Sequence, residues 1–391
     1  MIRSLMQYGR YALRAAGDAS LRRLVVSHAR NEMPAQVPDK HTALGLVIDH
    51  LLCCQEASGD GGFGSFHLVH GYGRTYPETT GYIIPTLLAA APVIQRPALV
   101  DEAARSAELL LRIQLPSGGW QGGRVGEDRG EVVFNTAQVI RGMLAMHAST
   151  SDARFLAAAC RAGDRICAVQ EDDGTWATHN FLGVARVYDA YVDAPLLALA
   201  QVSGEPRYAE AAQRNLRWVL GRQQENGWFS DADNTIRHND RPITHTIAYT
   251  IDGLLESYVR LGGEELLRAA QRAADPLRDR FLQEGALHGR YDNAWRGSEA
   301  AITTGCAQLS VAWWRLHAIT GEARYKEAAE GMLRWLVQVQ ALGMCGPLGG
   351  RGAVTGSFPL WGRYEKFACP NWAQKYLADA LLCSMGVLPR Q

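Results

Sequence analysis

Neither sign of charge is in excess in this chain: 40 Lys and Arg stand against 40 Asp and Glu over 391 residues. That balance argues against a general nucleic-acid or polyanion binder, which needs a basic footprint. No apolar run is long enough to cross a bilayer, and the first 40 residues hold no continuous apolar stretch of the secretory-signal kind. The eight cysteines, at positions 53, 54, 160, 167, 306, 345, 369 and 383, form no Cys-x-x-Cys pair and no regular framework. They read as small apolar side chains inside helices, and the expected location is the reducing cytoplasm. Strand signal is also scarce, because β-branched residues seldom alternate with polar ones, and this excludes a sheet-based fold.

What is present is a repeat. Gln55, Gln114, Gln170, Gln224, Gln283 and Gln340 recur every 54 to 59 positions, each closing an apolar helical run before a loop rich in glycine and aromatics. Three of the runs, SDARFLAAACRAGDRICAVQ, SGEPRYAEAAQRNLRWVLGRQQ and TGEARYKEAAEGMLRWLVQVQ, share a capping Ser or Thr, an acidic first turn and small residues at helical spacing. They read as copies of one helix. The first helices of the pairs are predicted over 41–55, 101–114, 152–170, 206–224, 264–283 and 322–340. Second helices are predicted to start near Glu78, Val132, Tyr188, Thr244, Ile302 and Asn371.

The period is too long for the usual solenoid units and fits a helix pair plus a long loop. The expected fold is therefore all-α, an (α/α)6 toroid of six antiparallel helix pairs. With no linker between Gln55 and Gln340, residues 41–391 read as a single toroid domain and residues 1–40 as an N-terminal helical arm. The arm carries Arg3, Arg10, Arg14, Arg22, Arg23 and Arg30. It reads as an amphipathic helix packed on the toroid, with peripheral membrane contact as the alternative.

QLPSGGW and QEDDGTW, with QQENGWF as a shortened form, resemble the QW repeats of the squalene cyclase and prenyltransferase superfamily. That resemblance implies a toroid in which the Gln caps a helix end and stacks on the Trp. The acid motif of the class II terpene cyclases is missing, since DADN at 231–234 and EDDG at 171–174 do not match Asp-x-Asp-Asp. Neither the zinc site of the prenyltransferases nor that of the lanthionine cyclases can be assembled, so no metal and no cofactor is expected. A second set of stretches, YPETTGY, VFNTAQV, THTIAYTIDGLLE, TGCAQLSVAWWRL and PNWAQKYLADALL, resembles toroid proteins found with polysaccharide-biosynthesis genes. More distantly it resembles the glucuronyl C5-epimerases. This resemblance implies a glycan or other sugar-containing substrate.

If the second helices line the ring, their N-terminal ends bring Tyr76, Glu78, Asn135, Asp189, His245, Tyr249, Gln308, Asn371 and Lys375 to one mouth. So many polar groups need a ligand or water, because an unpaired buried group costs about 1–3 kcal/mol. Trp120, Trp176, Trp228, Phe229, Tyr291, Trp295, Trp361 and Tyr364 are expected to rim that mouth and stack on sugar rings, or else to close their loops as small cores. Arg74, Arg290, Arg363 and Lys375 are the cations expected to hold a uronate carboxylate. The expected catalytic groups are Glu78, ionised at a helix N-terminus, neutral His245, Tyr249 one turn below it, and Tyr291 on a loop folding over the mouth.

Proton transfer at C5 of a uronic sugar, by an epimerase or lyase, is the preferred chemistry. The alternative is hydrolysis with two carboxylates, such as Glu78 and Asp189. Terpene-cyclase-like chemistry and a non-catalytic glycan-binding assembly factor are the remaining readings.

Overall fold

The structure, a computed structural model, describes residues 11, 16–237 and 239–387. Arg3, Arg10 and Arg14 of the basic arm lie outside the described residues. Among the described residues there are thirteen α-helices. Helix α1 (Ala19–Arg30) belongs to the arm. The others are α2 (Lys40–Ser58), α3 (Pro77–Val93), α4 (Leu99–Ile113), α5 (Val133–Thr150), α6 (Ala153–Ala168) and α7 (Ala190–Ser203). They continue with α8 (Pro206–Leu220), α9 (Thr244–Leu261), α10 (Glu264–Glu284), α11 (Thr303–Thr320), α12 (Ala323–Gly343) and α13 (Asn371–Ser384).

The odd-numbered helices from α3 to α13 form an inner ring, each packed on the next and α13 packed back on α3. The even-numbered helices form the outer wall. Helix α4 shows why: Leu99, Ala103, Ala107 and Leu110 are buried on one face while Asp101, Arg105 and Arg112 meet solvent, the stripe of a surface helix. An inner helix such as α5 is buried from Val133 to Leu144 without a solvent face. This is the (α/α)6 toroid.

One detail of the pairing differs from the sequence reading. The intimate hairpins join each inner helix to the following outer one, α3 with α4 and α5 with α6, through short turns. The long loops connect outer to inner and all gather at the other end, where the inner helices begin. Helix α2 therefore has no inner helix before it and packs on α13, the last in the chain.

The repeating glutamines are the clamps of this ring. The Gln114 amide donates to the Gly118 carbonyl at 2.8 Å and to the Ala158 carbonyl of the next outer helix at 2.9 Å. Gln170 repeats this with Gly174 and Ala211. Gln340 does so with Gly352 and with Ala43 of α2, which closes the circle. In the fourth copy Gln223, not the expected Gln224, makes the bonds, to Gly227 and Ala269. Gln283 makes no such bond. The loop glycine is required on two counts: Gly118 and Gly227 have φ of 97° and 86°, and a Cβ at either would run into the backbone carbonyl of Arg161 or Arg272 on the neighbouring helix.

Strand pairing closes the ring a second time. Phe66 and His67 pair antiparallel with Tyr72 and Gly71 on one side and with Cys369 and Ala368 on the other, tying the first long loop to the last. Helix α1 lies on this seam, burying Leu21 and Leu24 with Phe66, Leu68, Leu360 and Phe367, while His28 Nδ1 accepts from the Leu360 N–H. The described part of the arm thus packs on the toroid. No described helix is long and apolar enough to cross a membrane.

Candidate active site

The N-terminal ends of α3, α5, α9 and α13, with the turn before α7, surround a cavity of about 610 Å³. Its size suits a small organic ligand or a short stretch of sugar. Pro77 at the first position of α3 sets the helical φ without wasting an N–H, and the next residue, Glu78, points its carboxyl into the cavity wall. Burial pushes Glu78 up to about 7, partly opposed by hydrogen bonding with the Tyr76 hydroxyl. The carboxyl expected to be ionised at a helix N-terminus instead holds its proton up toward neutral pH. The helix dipole is worth about 0.3–1 kcal/mol, whereas the shift from 4.5 to about 7 corresponds to about 3 kcal/mol of lost solvation.

The carboxyl is ringed by hydroxyls. Tyr76, Tyr82, Tyr188, Tyr249 and Tyr364 all line the cavity, and all five hold their protons more tightly than usual, first through burial; the Glu78 charge comes next for Tyr76 and Tyr249, Asp189 for Tyr188 and Glu365 for Tyr364. Asn135 donates to Tyr76 Oη at 3.4 Å. His245 lies in the first turn of α9, and burial lowers its pKa to about 4, so it is neutral. Its Nδ1 meets Gln308 Oε1 at 2.6 Å. An amide oxygen can only accept, so Nδ1 carries the proton and Nε2 keeps its lone pair. Tyr249 packs against His245 with ring centres 4.5 Å apart, and its buried hydroxyl lies among those of Tyr82 and Tyr376.

A layer of aromatic and charged groups supports this floor. Tyr191 and Tyr376 share a hydrogen bond of 3.1 Å between hydroxyls, Arg141 lies 4.0 Å above the Tyr191 ring, and Lys375 lies 4.0 Å above the Tyr376 ring. Lys375 is itself buried in an ion pair with Asp379 at 2.7 Å.

Of the residues expected at the mouth, Arg74, Tyr76, Glu78, Asn135, His245 and Tyr249 do line the cavity. Gln308 stands behind His245 and orients it. Asn371 is spent on the loop, donating to the Phe63 carbonyl and to Thr79 Oγ1. Asp189 is fully buried and accepts from Asn180 Nδ2 at 2.6 Å; burial raises it to about 7. Lys375 lies beneath the floor. Tyr291 does not fold over the mouth: it is buried, and its hydroxyl accepts the His288 N–H at 2.9 Å.

The tryptophans are loop cores rather than a rim. Trp120 donates to the Leu110 carbonyl, Trp176 to Ile166 and Trp295 to Asn226, and Trp228 is buried with Phe229. A buried indole needs such a partner, and Trp120, Trp176 and Trp295 find it in a backbone carbonyl, whereas the buried Trp228 Nε1 has none. Of the expected cations, Arg290 is bound to Asp233 and Glu299 and Arg363 pairs with Glu299. The guanidinium groups on the cavity wall are those of Arg74 and, on the loop before α5, Arg124 and Arg129, the latter two paired with Glu127 at 3.8 and 2.9 Å. Phe134, Asn180, Phe181, Tyr188, Asn234 and Trp372 also line the cavity without having been expected there from the sequence, and so do the carboxyls of Glu127, Glu131 and Glu365. Phe134 and Trp372 were within reach, since they sit inside the VFNTAQV and PNWAQKY stretches.

No protein-family model matches the chain, and no curated protein matches it in sequence. Solved structures do. An unsaturated glucuronyl hydrolase specific for heparin superposes with a TM-score of 0.69 over 89% of this chain and 97% of its own, at 13% identity. The unsaturated glucuronyl hydrolase of Bacillus sp. GL1, responsible for glycosaminoglycan degradation, gives 0.68 over 89% and 96%, at 15% identity. An α-amylase from Clostridium perfringens gives 0.62 over 89% and 99%, at 11% identity. At such identities the likeness establishes the toroid and leaves the chemistry to the cavity.

Proposed function

We propose that this protein is a glycan hydrolase acting on a uronate-bearing sugar. The observation that carries the reading is the pair at the cavity floor: a carboxyl with its pKa raised to about 7, Glu78, sharing the wall with a neutral imidazole, His245. Two titratable groups pushed in opposite directions by one apolar environment divide the work of acid and base between them. Protonated Glu78 gives its proton to the glycosidic oxygen as the bond to the anomeric carbon breaks. Water adds to that carbon, and His245 Nε2 takes up its proton. Arg74, Arg124 and Arg129 supply the guanidinium groups that pair with a uronate carboxylate, and Tyr76, Asn135 and Asn180 face the hydroxyls. Asp189, the second carboxyl, holds Asn180 in place from behind. The structural neighbours, two unsaturated glucuronyl hydrolases and an α-amylase, are hydrolytic, which favours this reading over proton transfer at C5.

One observation keeps the C5 reading as the second choice. The Tyr249 ring lies against the His245 imidazole, centres 4.5 Å apart, so a tyrosine and a histidine meet where a C5 proton could be exchanged.

Incubation with glucuronate-containing disaccharides in deuterated water, followed by NMR, separates the two. Hydrolysis yields one new reducing end per turnover and leaves C5 unlabelled; deuterium at C5 without cleavage would replace it with epimerisation, and an unsaturated product would indicate a lyase. Glu78→Gln is expected to lower kcat by about 10²–10⁴-fold, the usual worth of a positioned acid.

A further inference from the structure

With the loop tryptophans turned inward, the large apolar side chain that faces water on the described cavity wall is Phe181, 46% exposed. Its backbone is held there deliberately. The Phe181 N–H donates to Asn180 Oδ1 at 3.0 Å, while the same amide's Nδ2 is anchored on Asp189. The next residue, Leu182, has φ of 66°, a left-handed conformation that costs a branched side chain energy. Its carbonyl accepts from Arg237 Nη2 at 3.1 Å. In return Arg186 Nη2 donates to the carbonyls of Ile236 and Arg237. Two rim loops are thus cross-tied by arginines, and the strained turn between them keeps a phenyl ring in solvent beside a polar cavity.

We propose that Phe181 is the stacking platform for the sugar adjoining the one held over Glu78, so that the substrate is a disaccharide or longer chain rather than a single uronate. The inference rests on the reading of the cavity as a uronate-glycan site. The C–H face of a pyranose packs on an aromatic ring and dehydrates both, while its edge hydroxyls stay with polar partners; Asn234, on the facing loop and on the cavity wall, supplies an amide for them.

The test is binding by calorimetry in the Glu78→Gln background, where cleavage is slowed about 10²–10⁴-fold and little ligand is consumed during a titration. The probes are a glucuronyl disaccharide and methyl glucuronide, the latter lacking the second ring. Phe181→Ala is expected to weaken the disaccharide about tenfold, the worth of one aromatic contact, and to change methyl glucuronide less than about twofold. Phe181→Tyr, which keeps the ring, restores disaccharide affinity. Ile236→Ser, an exposed apolar residue of the same rim but off the cavity wall, leaves both unchanged. Equal losses for the two probes, or an unweakened disaccharide in Phe181→Ala, would overturn the platform alone. If neither probe binds with Phe181 intact, the uronate reading falls and the platform with it.

Discussion

At the residue scale, the site is governed by desolvation. Glu78 and His245 sit at helix N-termini whose dipoles favour an anion and a neutral imidazole, yet burial moves the first against the dipole and the second along with it. The consequence is a bell-shaped rate. The base form of His245 is lost as pH falls through about 4, and the acid form of Glu78 is lost as pH rises through about 7. A pH profile of kcat/KM is expected to show limbs near these values with an optimum between them, and residual activity of Glu78→Gln should lose the alkaline limb only. Stability follows the same groups. Between about 4.5 and 7 folded Glu78 keeps a proton the unfolded chain has released, so its contribution falls as pH rises. Between about 6.5 and 4 unfolded His245 takes a proton the folded ring refuses, so stability also falls as pH drops.

The sequence could place Glu78 and His245 because helix starts are marked by local signals such as Pro77. It could not show that Trp120 and Trp176 face inward or that Arg124 and Arg129 replace Arg290, because loop side-chain direction is fixed by tertiary contacts.

At the element scale, the helices were legible because each pair repeats its apolar period and ends in the same Gln and Gly. What periodicity could not reveal is which helix of one pair packs most closely on which helix of the next, since that depends on loop length and ring closure. The Gln also turns out to bind carbonyls on two neighbouring elements, so it ties one outer helix to the next as well as ending its own. Two glycines separate the causes of this design. Gly227 and Gly204 both have positive φ, 86° and 77°, but only at Gly227 would a Cβ meet a neighbour, the Arg272 carbonyl; nothing lies within 4 Å of one at Gly204. Gly204→Ala is expected to cost about 1–2 kcal/mol, the conformational term alone. Gly227→Ala is expected to cost about 3 kcal/mol or more, since the helix must also move away. Urea denaturation of the two variants gives the comparison; equal losses would mean that the close approach of loop and helix is not a constraint.

At the scale of the whole molecule, the ring must fill its own centre below the cavity, and it does so with charge. Arg141 of α5 pairs with Glu256 of α9 at 2.6 Å and donates to the Tyr191 carbonyl of α7. Arg315 of α11 pairs with both Asp252 and Glu256 of α9, at 3.1 Å each. Four of the six inner helices are thereby joined across an axis where apolar side chains alone would leave gaps or a continuation of the cavity. Burial would push both carboxyls up; the two arginines hold Glu256 well below the usual range and leave Asp252 raised. Removing one arginine from such a group strands a buried negative charge, which costs about 3–5 kcal/mol. The folded protein can escape part of that cost by protonating Asp252. Protonation is easier at low pH, so Arg141→Met is expected to be more destabilising at pH 8 than at pH 5. Adding Glu256→Gln removes the stranded charge and should recover part of the loss, making the double variant more stable than the sum of the singles predicts. Urea denaturation at the two pH values measures both effects. A loss that is independent of pH and strictly additive would show that the toroid's centre is held by packing, with the ion pairs contributing nothing of their own.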